Sequence, residues 1–231
     1  MQIRGWVILA IVGALALLAA PVVAQPYGGP GWTHAQRGTG QPLSIDQAEQ
    51  IARQFLDRAG YAGLALDEIQ EFSNNFYVAV KYKTGGRGAF EFLIDRYSGF
   101  VHPEPPTMMW NTQFGHMTGQ GGPWSTGHGP GGYAPGGGMM GGRWMQGTGP
   151  GSAPAVTPTV TAAQAETIAQ TFLNSQFPGT KVRNVDAFPG YYTIDVTRDG
   201  KVAAMLSVDA YTGRVWYHSW HGTFIQEKEL R

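Results

Sequence analysis

Two histidines, His218 and His221, stand three positions apart in Trp216-Tyr217-His218-Ser219-Trp220-His221-Gly222, near the C-terminus of a 231-residue chain. Paired imidazoles are a ligand set for transition metals when the backbone turns both to one side. A spacing of three does this on a helix, whereas a regular strand sends the two side chains to opposite faces. A metal pair therefore needs the chain to leave strand geometry near Ser219, and Gly222 permits that. A second set of soft ligands is Met108, Met109, His116, Met117, Met139 and Met140. Six of the eight Met residues lie in this one stretch, up to Met145. Thioether and imidazole together select Cu(I), so copper is the one cofactor the pattern suggests. If the Met108–Met117 stretch folds over the His218–His221 end, a mixed His/Met site results. The plainer expectation, and the preferred one, is structural. Met and Trp then dock as apolar anchors, Trp216 and Trp220 cap the core, and both histidines are hydrogen-bonded or at the surface.

Other chemistry is absent from the sequence. There is no Cys, which removes disulfides, thiolate metal sites and thiol catalysis together. Sixteen basic residues balance sixteen acidic ones, which argues against a nucleic-acid partner. No His-Glu-x-x-His, Gly-x-Ser-x-Gly or Gly-Lys-[Ser/Thr] occurs. The Gly-x-Gly-x-x-Gly of residues 127–132 has no strand before it and no helix after it. No catalytic residue can be nominated, and the chain is expected not to be an enzyme.

The elements that must position these residues come in two copies. Residues 44–56, SIDQAEQIARQFL, align with 161–173, TAAQAETIAQTFL. Each copy opens on a capping box, Ser44 with Gln47 and Thr161 with Gln164. Apolar residues then recur at the three- and four-residue steps of a one-sided helix. Strand-like runs follow at Phe76–Lys83 and Ala89–Asp95, and again at Tyr191–Thr197 and Val202–Val208. The hairpin between the latter pair carries Asp199-Gly200, a pair suited to a tight turn. Both copies end on an Asp-x-x-[Ser/Thr]-Gly turn, Asp95 with Gly99 and Asp209 with Gly213. In each the Asp accepts amide hydrogens and the Gly takes a positive φ. The expected class is α+β, with two repeated units, each one helix packed on an antiparallel β-meander. Repeats of this size bury little core, so the two units are expected to pack together.

Helix and terminal turn, found twice, resemble the PepSY domain over residues 43–103 and 160–222. That resemblance implies an exported or membrane-tethered protein with a non-catalytic inhibitory, chaperoning or binding role, and an envelope protein or peptidase as partner. It brings no catalytic residues. Around the two modules, residues 1–24 read as a signal peptide, with Arg4 before a short apolar run and small residues ahead of a cut after Ala24. A membrane enters only if that segment stays uncleaved as an anchor. Export places the protein in the periplasm, at the cell surface or outside the cell. Residues 25–42 form a Gly-rich linker. Residues 104–159 form a Gly/Met/His/Trp-rich one, expected to be flexible, with 16 Gly between residues 115 and 151. Residues 223–231 read as a charged, solubilising tail.

Overall fold

Each helix begins where its capping box lies. In the computed structural model, which describes residues 40–115 and 157–230, α1 (Ile45–Ala59) is capped by Ser44 and Gln47. Helix α3 (Ala162–Gln176) is capped by Thr161 and Gln164 in the same reciprocal way. The described residues belong to one unit, His34–Arg231. Between the two helices run β1 (Leu64–Phe72), β2 (Asn75–Tyr82), β3 (Gly88–Asp95), β4 (Val101–Pro103) and the short helix α2 (Pro105–Trp110). After α3 come β5 (Thr180–Phe188), β6 (Tyr191–Arg198), β7 (Lys201–Asp209), β8 (Val215–Tyr217) and β9 (Phe224–Glu229). The result is an α+β structure with two antiparallel sheets, ordered β4-β3-β2-β1-β9 and β5-β6-β7-β8.

The repeat extends to the irregularities of the sheets. β1 bulges between Leu66 and Glu68, and β5 at the corresponding place between Val182 and Asn184. The next hairpins shift register at Val80/Lys81 and at Val196/Thr197. Each bulge moves one residue out of the two-residue alternation. On β1 it leaves Leu64, Leu66 and Ile69 on the helix side while Gln70 and Phe72 face the other way. The turns close as their residues dictate. Asp95 Oδ1 accepts from the amides of Tyr97 and Ser98, and Asp209 Oδ1 from those of Tyr211 and Thr212. Gly99 and Gly213 both sit at φ +70. Asp199 and Gly200, at φ 52 and 75, form the tight hairpin turn.

Four layers result. Ala48, Ala52 and Leu56 of α1 pack on Ile69, Phe76, Val78, Phe92 and Ile94. Ala165, Ala169 and Leu173 of α3 pack on Ile194, Val196, Leu206 and Val208. The opposite sheet faces meet each other, Phe72, Tyr77, Ala79 and Leu93 against Phe188, Tyr191 and Met205. A strand covered on both faces needs no polar side, which is why β2 and β3 read as almost unbroken apolar runs.

Two sequence expectations are corrected. The tail is not a solubilising end: β9 pairs antiparallel with β1 of the first repeat, from Glu68–Glu229 to Phe72–Phe224. Its charges are spent on neighbours, Arg183 gripping Glu227 through two hydrogen bonds and Lys228 reaching Asp46 and Glu49. The second correction concerns residues 104–115, which do not belong to a linker. Proline is at home in the first turn of a helix, and Pro105-Pro106 start α2 rather than merely ending a strand. The rest of the 104–159 segment, the Gly-rich stretch 25–42 up to residue 39, and the signal-like segment lie outside the described residues. Among the described residues, no helix is long and apolar enough to cross a membrane.

Candidate metal centre

The two repeats end alike, and their ends meet. After β4 the backbone N–H of Glu104 donates to the Glu91 carbonyl, and after β8 that of His218 donates to the Met205 carbonyl. Glu104 and His218 thus occupy the same station in their repeats, each nine residues beyond its turn aspartate, Asp95 or Asp209. With the sheets packed face to face, both side chains enter the interface. The chain then turns at Ser219, whose N–H donates to the Tyr217 carbonyl, and Gly222 takes φ +82. That departure from strand geometry brings His221 round to the side of His218.

Glu104, His218 and His221 form one buried cluster. His218 Nδ1 and His221 Nε2 each lie 3.3 Å from Glu104 Oε1, and 3.3 Å from each other. Their side chains are 0–1% exposed. Trp220 Nε1 donates to Glu104 Oε1 at 2.9 Å, and its ring stacks on His218 with centroids 4.6 Å apart. The second carboxylate oxygen, Glu104 Oε2, is buried with no hydrogen-bond partner.

The proton positions follow from the outer contacts. Asn75 Nδ2 donates to the Trp220 carbonyl, so Asn75 Oδ1 is the atom that faces His221 Nδ1, at 2.9 Å. An amide oxygen only accepts, so Nδ1 carries a proton and Nε2 is the ring atom turned to the centre of the cluster. His218 Nε2 meets Ser207 Oγ at 2.9 Å, and Ser207 Oγ meets Thr193 Oγ1 at 3.2 Å. Through this pair of hydroxyls Nε2–H can donate outward, which frees Nδ1 as the second ligand. Burial, reinforced by the neighbouring His221, holds His218 well below the usual imidazole range and keeps it neutral. Each ring is therefore held through its far nitrogen, the arrangement that orients metal-binding imidazoles.

A second buried carboxyl lies beside the cluster. Burial first, and Glu104 next, push Glu91 up to about 8, against the hydrogen bonds from Thr193, Tyr191 and Tyr77 that favour its charge. Tyr77 and Tyr191 donate to its two oxygens. Burial, with Glu91 beside them, lifts both phenols well above their ordinary value.

The sequence pointed to eight ligands, and the described residues include four of them. His218 and His221 come together, and both are buried and hydrogen-bonded rather than at the surface. Met108 is half-buried and Met109 is 52% exposed on α2, the helix whose N-cap is Glu104. His116, Met117, Met139 and Met140 lie outside the described residues. Trp220 and Trp110 pack on the core between the sheets, and Trp216 links them in a chain of edge-to-face rings at 5.3 and 5.7 Å. Asp95, Gly99, Asp209 and Gly213 serve their turns. Glu104, Asn75 and Ser207 were not anticipated. One signal could have found Glu104, the shared nine-residue count from each turn aspartate.

No family model matches the chain, and no curated protein matches it either. Among solved structures, the C-terminal domain of YpeB from Bacillus megaterium aligns with 79% of this chain, at a TM-score of 0.26 and 10% identity. This chain spans 65% of that one.

Proposed function

We propose that this chain is an exported, non-catalytic metal-binding protein that holds a tetrahedral divalent ion of zinc type at Glu104, His218 and His221. One observation carries the reading. The three facing atoms form a triangle with every side 3.3 Å. Ligands at the ~2.0–2.1 Å of zinc–nitrogen and zinc–oxygen bonds stand roughly 3.3–3.4 Å apart along a tetrahedral edge, against about 2.9 Å for an octahedral one. A borderline ion also suits two imidazoles and a carboxylate better than Cu(I), which prefers sulfur. Glu104 ligates through Oε1, and its second oxygen, Oε2, is buried and makes no hydrogen bond. Three protein ligands leave the fourth tetrahedral position to a water, and the burial of all three side chains keeps that position away from bulk solvent.

Metal analysis of natively purified protein, followed by Zn²⁺ and Co²⁺ titration, tests this directly. One equivalent of Zn²⁺ and the intense visible absorption of tetrahedral Co²⁺ are expected. Both should disappear in His221→Ala and Glu104→Gln. Binding that survives either substitution would place the ion elsewhere.

The PepSY resemblance supports export and a binding or restraining role toward an envelope peptidase, which a protease-inhibition assay with the mature form addresses. Copper held by Met108, Met109, His116, Met117, Met139 and Met140 is a separate proposal. Cuprous titration under reducing conditions, repeated with Met108, Met109, Met139 and Met140 changed to Leu, decides it.

A further inference from the structure

Resting on the metal reading above, we infer that the ion is sealed between the repeats and exchanges only when α2 lets go of the second repeat. The ligands come from both sides of the interface, Glu104 from the first repeat and His218 and His221 from the second. Their outer supports cross it in the opposite sense. Asn75 of the first repeat holds His221, and Trp220 of the second holds Glu104. Side chains 0–1% exposed leave a chelator no direct approach to the ion. Something must move before the ion can leave.

The geometry points to α2. It starts at Glu104, so releasing the helix withdraws a ligand, and it is fastened across the interface. Thr107 Oγ1 accepts from the Glu91 amide at 2.9 Å and shares a hydrogen bond with the Tyr191 hydroxyl at 2.7 Å. Just beyond the helix, the Thr112 amide donates to the Pro189 carbonyl at 3.0 Å. Gly190, at φ +97, lets the Trp110 carbonyl sit where any Cβ would collide with it. Thr107, buried completely, touches no ligand atom among its hydrogen bonds, yet joins the strand ahead of Glu104 to the repeat that carries both histidines. It is a latch.

The test uses the full chain loaded with Zn²⁺ and a coloured pyridylazo chelator in increasing excess. Release gated by opening reaches a plateau rate that further chelator does not raise. Thr107→Val keeps the shape and removes the hydroxyl, so the plateau should rise roughly tenfold while one Zn²⁺ per chain is still bound. Tyr191→Phe removes the other half of the bond and should act in the same direction. Release that grows in proportion to chelator without limit overturns the gate alone. So does a plateau unmoved by both substitutions. A chain that takes up no Zn²⁺ overturns the metal reading, and this inference with it. The plateau on the unmodified chain needs no variant to fold.

Discussion

The ring atom that His221 turns to the cluster is set by a carboxamide, and the carboxamide is set by a tryptophan carbonyl. Asn75 can be an acceptor toward His221 only because its nitrogen is committed to the Trp220 carbonyl. Asn75→Ala removes no ligand but frees the ring to turn and to change tautomer. Loss of such an outer support typically costs 10–100-fold in metal affinity, and about that loss of Zn²⁺ affinity is expected. The visible spectrum of the Co²⁺ form should change as well, which mere loosening elsewhere would not produce. An affinity and a spectrum like those of the unmodified protein would remove Asn75 from the site. At this scale the histidines were legible and their partner was not. Spacing showed that His218 and His221 needed a turn at Ser219, and the turn is there. Glu104 was hidden because Pro103 and Pro105 flank it and read as the end of a strand. Ser207 was hidden because a polar residue on a strand ordinarily faces water, and here that face meets a second sheet.

Elements were legible where one face is apolar and the other polar. Both helices, with their capping boxes, match the sequence expectation, as do the central hairpins and the terminal turns. β1 and β5 were missed because Asp67, Glu68 and Glu71, or Lys181, Arg183 and Asp186, interrupt the pattern. The charges are tolerated through pairing: Arg96 binds Glu71, and Gln226 Nε2 also donates to Glu71 at 2.6 Å. The latter contact comes from β9, the least legible element, whose partner strand lies about 160 residues earlier in the chain. Edge strands of this kind carry charge because it discourages pairing with other molecules, so charge alone does not mark a tail. A chain ending at Thr223 loses the β1–β9 ladder, the Arg183–Glu227 pair and the hydrogen bond to Glu71. At roughly 1 kcal/mol net for each good hydrogen bond, the five residue pairs of the ladder alone make a loss of about 5 kcal/mol. For a domain of this size that corresponds to a melting temperature lower by about 10–20 °C, measured by calorimetry on metal-free protein. An unchanged melting curve would return residues 223–231 to the role of a tail.

At the scale of the molecule, the packing of two sheets face to face explains why a polar cluster lies in the middle of it. Packing two sheets by the faces their helices leave uncovered buries inward residues of both, and several of those are polar. Gln70, Glu91, Glu104, Thr193, Asp195, Ser207, His218 and His221 are all buried. The sequence suggested that the repeats pack together, but period-two patterns do not say which faces meet, so this seam could not be placed. Its acidic part has a consequence for pH. Burial raises Glu68 to about 8, and Asp195, Asp186, Glu229 and Asp67 around it add to the rise. Burial also raises Asp195, against hydrogen bonding from Gln70 and the charge of Arg183. A carboxyl raised on folding is protonated in the native state, so its contribution is complete below the unfolded value near 4.5. That contribution is lost as pH climbs through about 8. The neutral His218 works the other way, but only below the imidazole range, at 6.5 and under. Between pH 7 and 8 the carboxyls alone decide, and metal-free protein should lose stability as pH rises. One such group accounts for at most about 1.4 kcal/mol per pH unit. Glu68→Gln keeps the shape without the charge and should flatten that slope by about 1 kcal/mol per unit. Urea unfolding at a series of pH values measures it. Equal slopes in the two proteins would mean that Glu68 is already ionised in the folded chain, and that the seam between the sheets is wetter than its burial implies.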